Sequence, residues 1–282
     1  MPHPERIFHY TSIDTLALIL KSKKIRFSRL DTVDDAKEAP TVQGISFNKY
    51  FFVSCWTTEI TESIPQWHLY TDKMSGVRIE LPSYPFINKP LIPESTWVDF
   101  QTTGTLVSPV SFQEMYGDTY MILPILLDRD HFAGPVEYIH NLEERYEAAV
   151  TITKTTDIHG SIAISSPWEL VRLKTKHWGF QSEYRFALFV LPSLPLPPEG
   201  PGSPSFYNSA PAHMMRSIQT GHAPNVQSID LDFRPDALDG LVITTGPHCS
   251  AGAKLSVDAL VKQYAPNGRV QSSELEGWLR PR

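Results

Sequence analysis

The feature that most constrains the fold is a nearly unbroken apolar stretch at residues 50–56, Tyr-Phe-Phe-Val-Ser-Cys-Trp. A strand with one face in water alternates polar and apolar side chains, whereas a strand covered on both faces reads as a continuous apolar run. This stretch therefore predicts a strand in the interior of a sheet, with other elements packed on both faces. A second strong strand is predicted at residues 184–191, and the alternation at residues 76–81 predicts a half-buried strand.

The N-terminal part predicts a strand, a helix and a second strand. Residues 7–10 form a short β-type run, and Thr11 or Ser12 can cap a helix because a side-chain hydroxyl accepts a hydrogen bond from an unpaired amide. Apolar residues then recur at helical spacing through about residue 21. Residues 24–28 form the next β-type run.

Caps and periodicity predict the further elements. Residues 166–169, Ser-Pro-Trp-Glu, indicate a capping box that opens a short helix running to about residue 176. We expect Trp178, just beyond it, to be buried and to fix the entry of the following strand. The remaining predictions are helices at residues 63–70, 136–150 and 254–264, strands at 228–233, 238–245 and 269–272, and β-like runs at 105–110 and 120–127.

The chain has 282 residues, enough for one large domain with a full core. We interpret residues 1–282 as a single domain whose loosely patterned residues 82–165 form a variable middle part. Residues 192–211 are rich in proline, which predicts an exposed, extended loop. Residues 212–282 carry few elements and are expected to extend the same sheet.

Composition narrows the class of protein. The net charge is −6 and the basic residues are not clustered, which argues against a protein that coats nucleic acid. No apolar run approaches the ~20 residues that a membrane span needs, so we expect no membrane contact. Cys55 and Cys249 are expected to be free thiols, and residues 1–6 lack a signal pattern, which together predict a cytoplasmic protein.

Several common site motifs are missing from the sequence. There is no His-Glu-x-x-His or Cys-x-x-Cys pattern, so we expect no metal site. The glycine-rich loops that bind phosphates and the Gly-x-Ser-x-Gly turn of serine hydrolases are also missing. The candidates that remain are single polar residues in or beside predicted strands.

Three short segments indicate a functional site through their order along the chain. His9 lies on the first predicted strand, Ser54 lies on the central one, and Gln181 and Glu183 lead into the later one. Taken singly, His9 is more typical of a satisfied buried imidazole, and Glu183 of a partner for a nearby cation. A wider pattern accompanies them: His9-Tyr10-Thr11, Asp34-Asp35 with Glu38, Ser54-Cys55-Trp56, Trp67-His68-Leu69-Tyr70, and residues 178–185.

Together these segments resemble the three-part signature of the ADP-ribosyltransferase superfamily, and the wider pattern resembles a divergent bacterial branch of it. The resemblance implies an α+β fold of two packed, mostly antiparallel β-sheets with peripheral helices. It also implies NAD as co-substrate and a macromolecular acceptor, either nucleic acid or protein. A toxin or phage-defence role, with an antitoxin as a partner, would follow from the same resemblance.

The resemblance assigns roles to the catalytic pair. Breaking the bond between nicotinamide and ribose passes through an oxocarbenium-like state, which a fixed carboxylate stabilises. Glu183 would hold the ribose 2′-hydroxyl and stabilise that charge. Gln181 would lie on the same side of the strand, where the acceptor is selected.

The NAD-binding residues implied by the resemblance lie on three segments. His9, with Tyr10 and Thr11 beside it, would hold the adenosine-side ribose. Ser54 would orient Glu183 through its hydroxyl. Either Tyr70 or Trp56 would stack on nicotinamide.

Two alternatives stay open at the level of sequence. An NAD glycohydrolase would use the same residues with water as the acceptor. A catalytically inactive domain would bind a nucleotide or a protein partner instead. The presence of His9, Ser54 and Glu183 together favours activity, and the sequence leaves the acceptor undetermined.

Overall fold

The computed structural model of the chain describes residues 3–38, 41–91, 107–154, 160–201 and 203–280. It begins with β1 (Arg6–Thr11), α1 (Ile13–Ser22) and β2 (Lys24–Arg29), as the sequence predicts. The Ser12 side chain accepts a hydrogen bond from the Thr15 amide at the start of α1. Lys23 adopts a left-handed conformation (φ 54°) that ends the helix.

The other elements follow in chain order. They are β3 (Thr41–Val42), β4 (Ile45–Ser46), β5 (Phe51–Thr57), α2 (Ile64–Tyr70), β6 (Val77–Pro82), β7 (Lys89–Pro90), β8 (Val107–Ser108), β9 (Tyr120–Leu123), α3 (Arg129–Phe132), β10 (Ala133–Pro135), β11 (Glu137–Ile139), α4 (Leu142–Ala149), β12 (Val150–Lys154), β13 (Gly160–Ile164), α5 (Glu169–Arg172), β14 (Leu173–Thr175), β15 (Glu183–Pro192), α6 (Pro204–Gln219), β16 (Ser228–Asp232), β17 (Val242–Thr245), α7 (Ala251–Tyr264) and β18 (Arg269–Ser272).

One ten-stranded sheet dominates the fold, with the strand order β10-β15-β5-β1-β6-β17-β18. Strand β9 adds to β15, and β2 joins β5 and carries β16. Its strand pairs are antiparallel except for the parallel pair β17–β18. The α+β class is therefore confirmed. In place of two packed sheets, the described residues form this one branched sheet and four two-stranded sheets: β3–β4, β7–β8, β11–β14 and β12–β13.

The two central strands are covered on both faces, as their composition predicts. On one face of β5 and β15, Phe52 and Phe186 belong to one apolar core; on the other face, Phe51 and Phe189 belong to a second. The Phe51 and Phe189 rings stack with their centroids 4.8 Å apart. Burial on both faces makes β5 and β15 a rigid base for the residues at their ends.

The sheet forks at β5, and the fork positions the site. Strand β1 pairs with β5 only through Phe8 and Thr57. Strand β2 pairs with the other half of β5, through Ser28–Val53 and Arg29–Phe52. Between Val53 and Thr57 the two strands diverge, and α1 connects them. The divergence leaves a wedge-shaped opening above the middle of β5.

Several sequence predictions are wrong in this structure, and strand pairing explains two of them. The predicted capping box does not form: α5 spans only Glu169–Arg172 without a side-chain cap, and the Glu169 amide bonds to the Ser166 carbonyl. The chain then continues as β14, which pairs in parallel with β11. The helix predicted at 136–150 begins only at Leu142, because residues 137–139 form β11 in this pairing.

The proline-rich segment is another difference, because its last eight residues are helical. Helix α6 begins at Pro204, where the Ser203 side chain accepts a hydrogen bond from the Phe206 amide. A proline in the first turn costs little because that amide would have no helical partner. Burial of Phe206 and Ala210 holds the helix against the sheet.

Smaller differences concern boundaries. Helix α7 starts earlier than predicted because Ser250 caps it, and β17 starts later because residues 235–238 form a 3₁₀ turn. A 3₁₀ turn from Pro124 also ends β9 early. Of the run predicted at 105–110, residues 107–108 are a strand, while 105 and 106 lie outside the described residues.

Membrane-spanning helices and metal-binding clusters are both absent from the described residues. None of the helices there is long and apolar enough to cross a bilayer. No cluster of His, Cys, Asp or Glu side chains there could hold a metal ion. Cys55 and Cys249 are free thiols.

Candidate functional site

A cleft of about 500 Å³ occupies the fork between β1 and β2, with the middle of β5 as its floor. Seven of the eight residues predicted from the sequence line it: His9, Tyr10, Ser54, Trp56, Tyr70, Gln181 and Glu183. Thr11 lies away from it, at the end of β1. Its carbonyl oxygen packs so closely on Gly76 that a Cβ there would be 2.3 Å away. The fork thus brings distant segments of the chain to one place.

Ser54 and Glu183 belong to opposite faces of the sheet. In the pairing of β5 with β15, Ser54 lies opposite Phe186, while Glu183 lies opposite Thr57. Side chains alternate between faces along a strand, so Ser54 points away from the Glu183 side. Its hydroxyl accepts a hydrogen bond from Trp56 Nε1 at 3.0 Å. The expectation that Ser54 orients Glu183 is therefore wrong, although both residues reach the cleft.

His9 lies beside Trp56, with the two ring centroids 5.1 Å apart. Its Nδ1 is 2.9 Å from the Cys55 carbonyl oxygen. A carbonyl only accepts, so Nδ1 carries the proton. Burial lowers the pKa of His9, against the opposing effect of the bond to Cys55, and the ring is neutral at pH 7. Its Nε2 is therefore a hydrogen-bond acceptor.

Glu183 belongs to a buried group of four charged side chains, which we name the ion tetrad: Glu38, Lys174, Glu183 and Arg185. Lys174 Nζ lies 2.7 Å from Glu38 Oε1 and 2.9 Å from Glu183 Oε2. Arg185 Nη1 lies 2.7 Å from Glu38 Oε2, and its Nη2 lies 2.6 Å from Glu183 Oε1. The side chains are between 1% and 6% exposed. Two cations and two carboxylates thus balance each other away from water.

The ion tetrad keeps Glu183 ionised. Burial alone would raise the pKa of this carboxyl, but Arg185 and Lys174 outweigh it and lower the pKa to about 2. The same contacts raise the pKa of Lys174 and of Arg185, against the effect of burial. All three groups are therefore charged at neutral pH.

Gln181 and Tyr70 continue the hydrogen-bonded network into the cleft. Lys174 Nζ donates to Gln181 Oε1 at 2.8 Å, and Gln181 Nε2 donates to the Tyr70 hydroxyl at 2.5 Å. Gln181 ends a 3₁₀ turn, and Ser182 is left-handed (φ 43°), so Gln181 does not continue the strand as expected. Both ends of its amide have partners. It therefore connects Tyr70 to Lys174 rather than presenting a free side chain to an acceptor.

The backbone of Glu183 is fixed by the β10–β11 segment. Its amide donates to the Tyr138 hydroxyl at 2.9 Å, and its carbonyl accepts from the Val136 amide at 2.9 Å. Trp178, expected to be buried, is only half-buried. Its ring faces Lys174, whose Nζ is 5.0 Å from the ring centroid. Trp178 thus supports the ion tetrad rather than an apolar core.

The rim of the cleft carries paired cations and one acid without an ion pair. Lys24 lies 3.2 Å from Asp232, and Arg26 lies 2.9 Å from Asp230. Asp34 lines the cleft and, within the described ranges, has no salt bridge. The rim therefore offers little positive potential for an anionic ligand.

Sequence reasoning missed the functional weight of three residues: Glu38, Lys174 and Arg185. Glu38 and Arg185 stand in the matched pattern but received no role, and Lys174 stands outside it. A signal was available for Arg185, which lies within the apolar β-type run at residues 184–191. A charge buried there needs a partner of opposite sign.

Comparison of the chain with protein-family models, curated proteins and solved structures found no match. The site is therefore interpreted from its own geometry.

Proposed function

We propose that the cleft binds NAD and that the protein is an ADP-ribosyltransferase acting on a macromolecular acceptor, nucleic acid or protein. The observation that carries this proposal is the convergence of His9, Ser54, Gln181 and Glu183 on one cleft of about 500 Å³. These residues come from separate segments and match the superfamily signature in their order. The wedge between β1 and β2 gives a bent dinucleotide a concave site.

The chemistry of Glu183 supports cleavage of the nicotinamide–ribose bond. Its carboxylate is ionised and held in one orientation by Lys174 and Arg185. A fixed anion stabilises an oxocarbenium-like state without reorganising during the reaction. No proton has to leave Glu183 before it can act.

The remaining contacts are assigned by exposure and by hydrogen-bonding capacity. His9 Nε2 would accept a hydrogen bond from a ribose hydroxyl, because Nδ1 is committed to Cys55. Tyr70 would stack on nicotinamide. Trp56 is 3% exposed and lies against His9, whereas Tyr70 is half-buried and can offer its ring.

The biological role that we propose with this activity is that of a cytoplasmic toxin or phage-defence effector. An enzyme that modifies macromolecules of its own cell needs restraint, so an antitoxin partner belongs to the proposal. Growth arrest on expression of the parent chain, but not of Glu183→Gln, is the expected outcome. Equal arrest by both chains would contradict the role.

A second function, nucleotide binding without cleavage, is favoured by one specific observation. Lys174 and Arg185 both lie within 3 Å of the Glu183 carboxylate and oppose its field. A carboxylate neutralised in this way stabilises a cation less than a free one does. A domain of this kind would bind NAD and release it unchanged.

Incubation with NAD labelled on its adenosine phosphate separates the functions. The assay is run with and without cell lysate, and released nicotinamide is measured by chromatography. A transferase releases nicotinamide and moves the label into protein or nucleic acid, which protease and nuclease digestion distinguish. A glycohydrolase releases nicotinamide and leaves the label on free ADP-ribose. Binding without either product, seen as a rise in Tm with NAD, identifies the inactive domain and would refute the transferase.

A further inference from the structure

Lys174 occupies the centre of the site, although no motif marks it. Its Nζ lies 2.7 Å from Glu38, 2.8 Å from Gln181 and 2.9 Å from Glu183. It donates hydrogen bonds to Gln181 and Glu183, and its contact with Glu38 is an ion pair. Lys174 thus touches both carboxylates of the ion tetrad and also the amide that reaches Tyr70.

We infer that Lys174 is a positioning residue of this site, which joins the ligand-facing pair Tyr70–Gln181 to Glu183 and balances the two buried carboxylates together with Arg185. The positioning role rests on the proposed function. The charge-balancing role rests on the ion tetrad itself and holds for a binding domain as well.

Charge arithmetic supports the balancing role. With Lys174, the ion tetrad holds two positive and two negative groups. Without it, two buried carboxylates share one guanidinium, and like charges at close range cannot both stay ionised at little cost. Arg185 contacts the other carboxylate oxygen, Glu183 Oε1, and is held there by its bonds to Glu38 and the Val171 carbonyl, whereas Lys174 is the cation at Oε2.

The geometry of the hydrogen bonds supports the linking role. Tyr70 is the half-buried, cleft-lining end of the chain of contacts, and Glu183 is its buried end. Between them lie Gln181 and Lys174, at 2.5, 2.8 and 2.9 Å spacings. A ligand that moves Tyr70 therefore acts on Glu183 through Lys174.

Five titratable groups on different elements surround the Glu183 carboxylate and backbone. Arg185 lies on its own strand, Lys174 on β14, Glu38 on the loop before β3, Cys55 on β5 and Tyr138 on β11. Cys55 and Tyr138 have raised pKa values because of burial, so both are neutral at pH 7 and below. The titration of Glu183 in acid therefore reports on Lys174, Arg185 and Glu38.

The test uses the full chain with ¹³C-labelled glutamate and measures the pKa of Glu183 by NMR. Its resonance is assigned by its absence from Glu183→Gln. In Lys174→Met we expect the pKa of Glu183 to rise from about 2 by about 1–3 pH units, because one of its two cations is gone. In Glu38→Gln/Lys174→Met, which leaves one carboxylate with one guanidinium, it should return to within about 1 pH unit of the parent value. Lys176→Met, an exposed neighbour, is the matched control and should match the parent.

The linking role has separate readouts. The double variant restores charge but not the contact to Gln181, so nicotinamide release should stay reduced by up to ~100-fold in both variants, the cost of misplacing a group by about 1 Å. The Gln181 side-chain amide resonance should move in both variants and not in Lys176→Met. If Lys174→Met does not fold but the double variant does, charge balance is supported directly.

Three results would overturn the inference. An unchanged pKa of Glu183 in Lys174→Met would remove the balancing role. Full parental nicotinamide release by the double variant, or an unmoved Gln181 amide, would remove the linking role. If the parent releases no nicotinamide, the proposed transferase activity is refuted. The two NMR measurements are made without NAD and still test the role of Lys174.

Discussion

Replacing Glu183 with glutamine tests the site most directly, because it keeps the shape of the side chain and removes its charge. Among the described residues, the loss leaves Lys174 and Arg185 with Glu38 as their one carboxylate partner. The pKa of Glu183 is about 2, against 4.5 for an ordinary glutamate. This difference corresponds to about 3 kcal/mol of stabilisation of the folded chain by the ionised carboxylate. Breaking a buried ion pair by removing one partner typically costs a similar ~3–5 kcal/mol. We therefore expect Glu183→Gln to fold with a free energy of unfolding lowered by about 3 kcal/mol.

The pH dependence of stability gives an independent check of this magnitude. A carboxyl whose pKa is lower in the folded chain than in the unfolded chain stabilises the fold above its unfolded pKa. That stabilisation is lost as the pH falls through the folded pKa, here from about 4.5 to about 2. Glu183→Gln should lack this part of the acid transition. Urea unfolding at pH 7 and at pH 3 measures both quantities.

Activity is then measured at a temperature where parent and variant are both folded. Nicotinamide release should fall by a factor of ~100–1,000, the usual effect of losing one preorganised electrostatic contact. Lys174→Met/Glu183→Gln separates folding from chemistry, because Glu38 and Arg185 then remain as a balanced pair. It should regain stability and stay inactive. Release at the parental rate by a folded Glu183→Gln would refute Glu183 as the catalytic residue and assign it to the ion tetrad alone.

Substitutions at three further positions test the cleft and its support. Tyr70→Ala should weaken NAD binding by about 10-fold or more, because base–aromatic stacking contributes about 1–3 kcal/mol, whereas Tyr70→Phe keeps the ring and should bind as the parent does. If calorimetric titration finds equal affinities for the two variants, Tyr70 does not stack on nicotinamide. Asp34→Asn removes a negative charge that repels NAD, so NAD binding should strengthen a few-fold at low salt and less at high salt, where ions screen exposed charges. An effect that does not depend on salt would contradict this electrostatic explanation. Trp178→Ala should lower the free energy of unfolding by about 1–2 kcal/mol through the lost contact with Lys174, measured by urea unfolding; a loss near 5 kcal/mol would mean that the ring is part of a core.

The sequence predicted the elements around the cleft because their signals are local. The β-type runs of β1, β2, β5 and β15 and the Ser12 cap of α1 each lie within a few residues. The fork at β5 was not predictable in this way, since it depends on which strands pair. The ion tetrad was missed for the same reason: Glu38 and Lys174 meet only after the chain has folded.

The errors also have physical causes. A capping box at Ser166 was a sound local prediction, but pairing of β14 with β11 draws Leu173–Thr175 into a strand, so the helix is limited to Glu169–Arg172. The prolines at residues 192–211 predicted a loop, yet Pro204 lies in the first turn of α6, where a proline costs little, and the helix continues past Pro211. In both segments tertiary contacts outweighed the local preference.

The fork at β5 has a consequence for how the protein would respond to a ligand. The facing edges of β1 and β2 are not paired to each other, although α1, β5 and a bridge between Phe86 and Phe233 connect the two arms elsewhere. A molecule in the wedge would bridge the arms and take the place of the missing strand contacts. Amide hydrogen exchange should then slow at the facing edges of β1 and β2, while β15, already buried on both faces, exchanges as before. The cleft is thus a gap in the sheet that a bound ligand would fill.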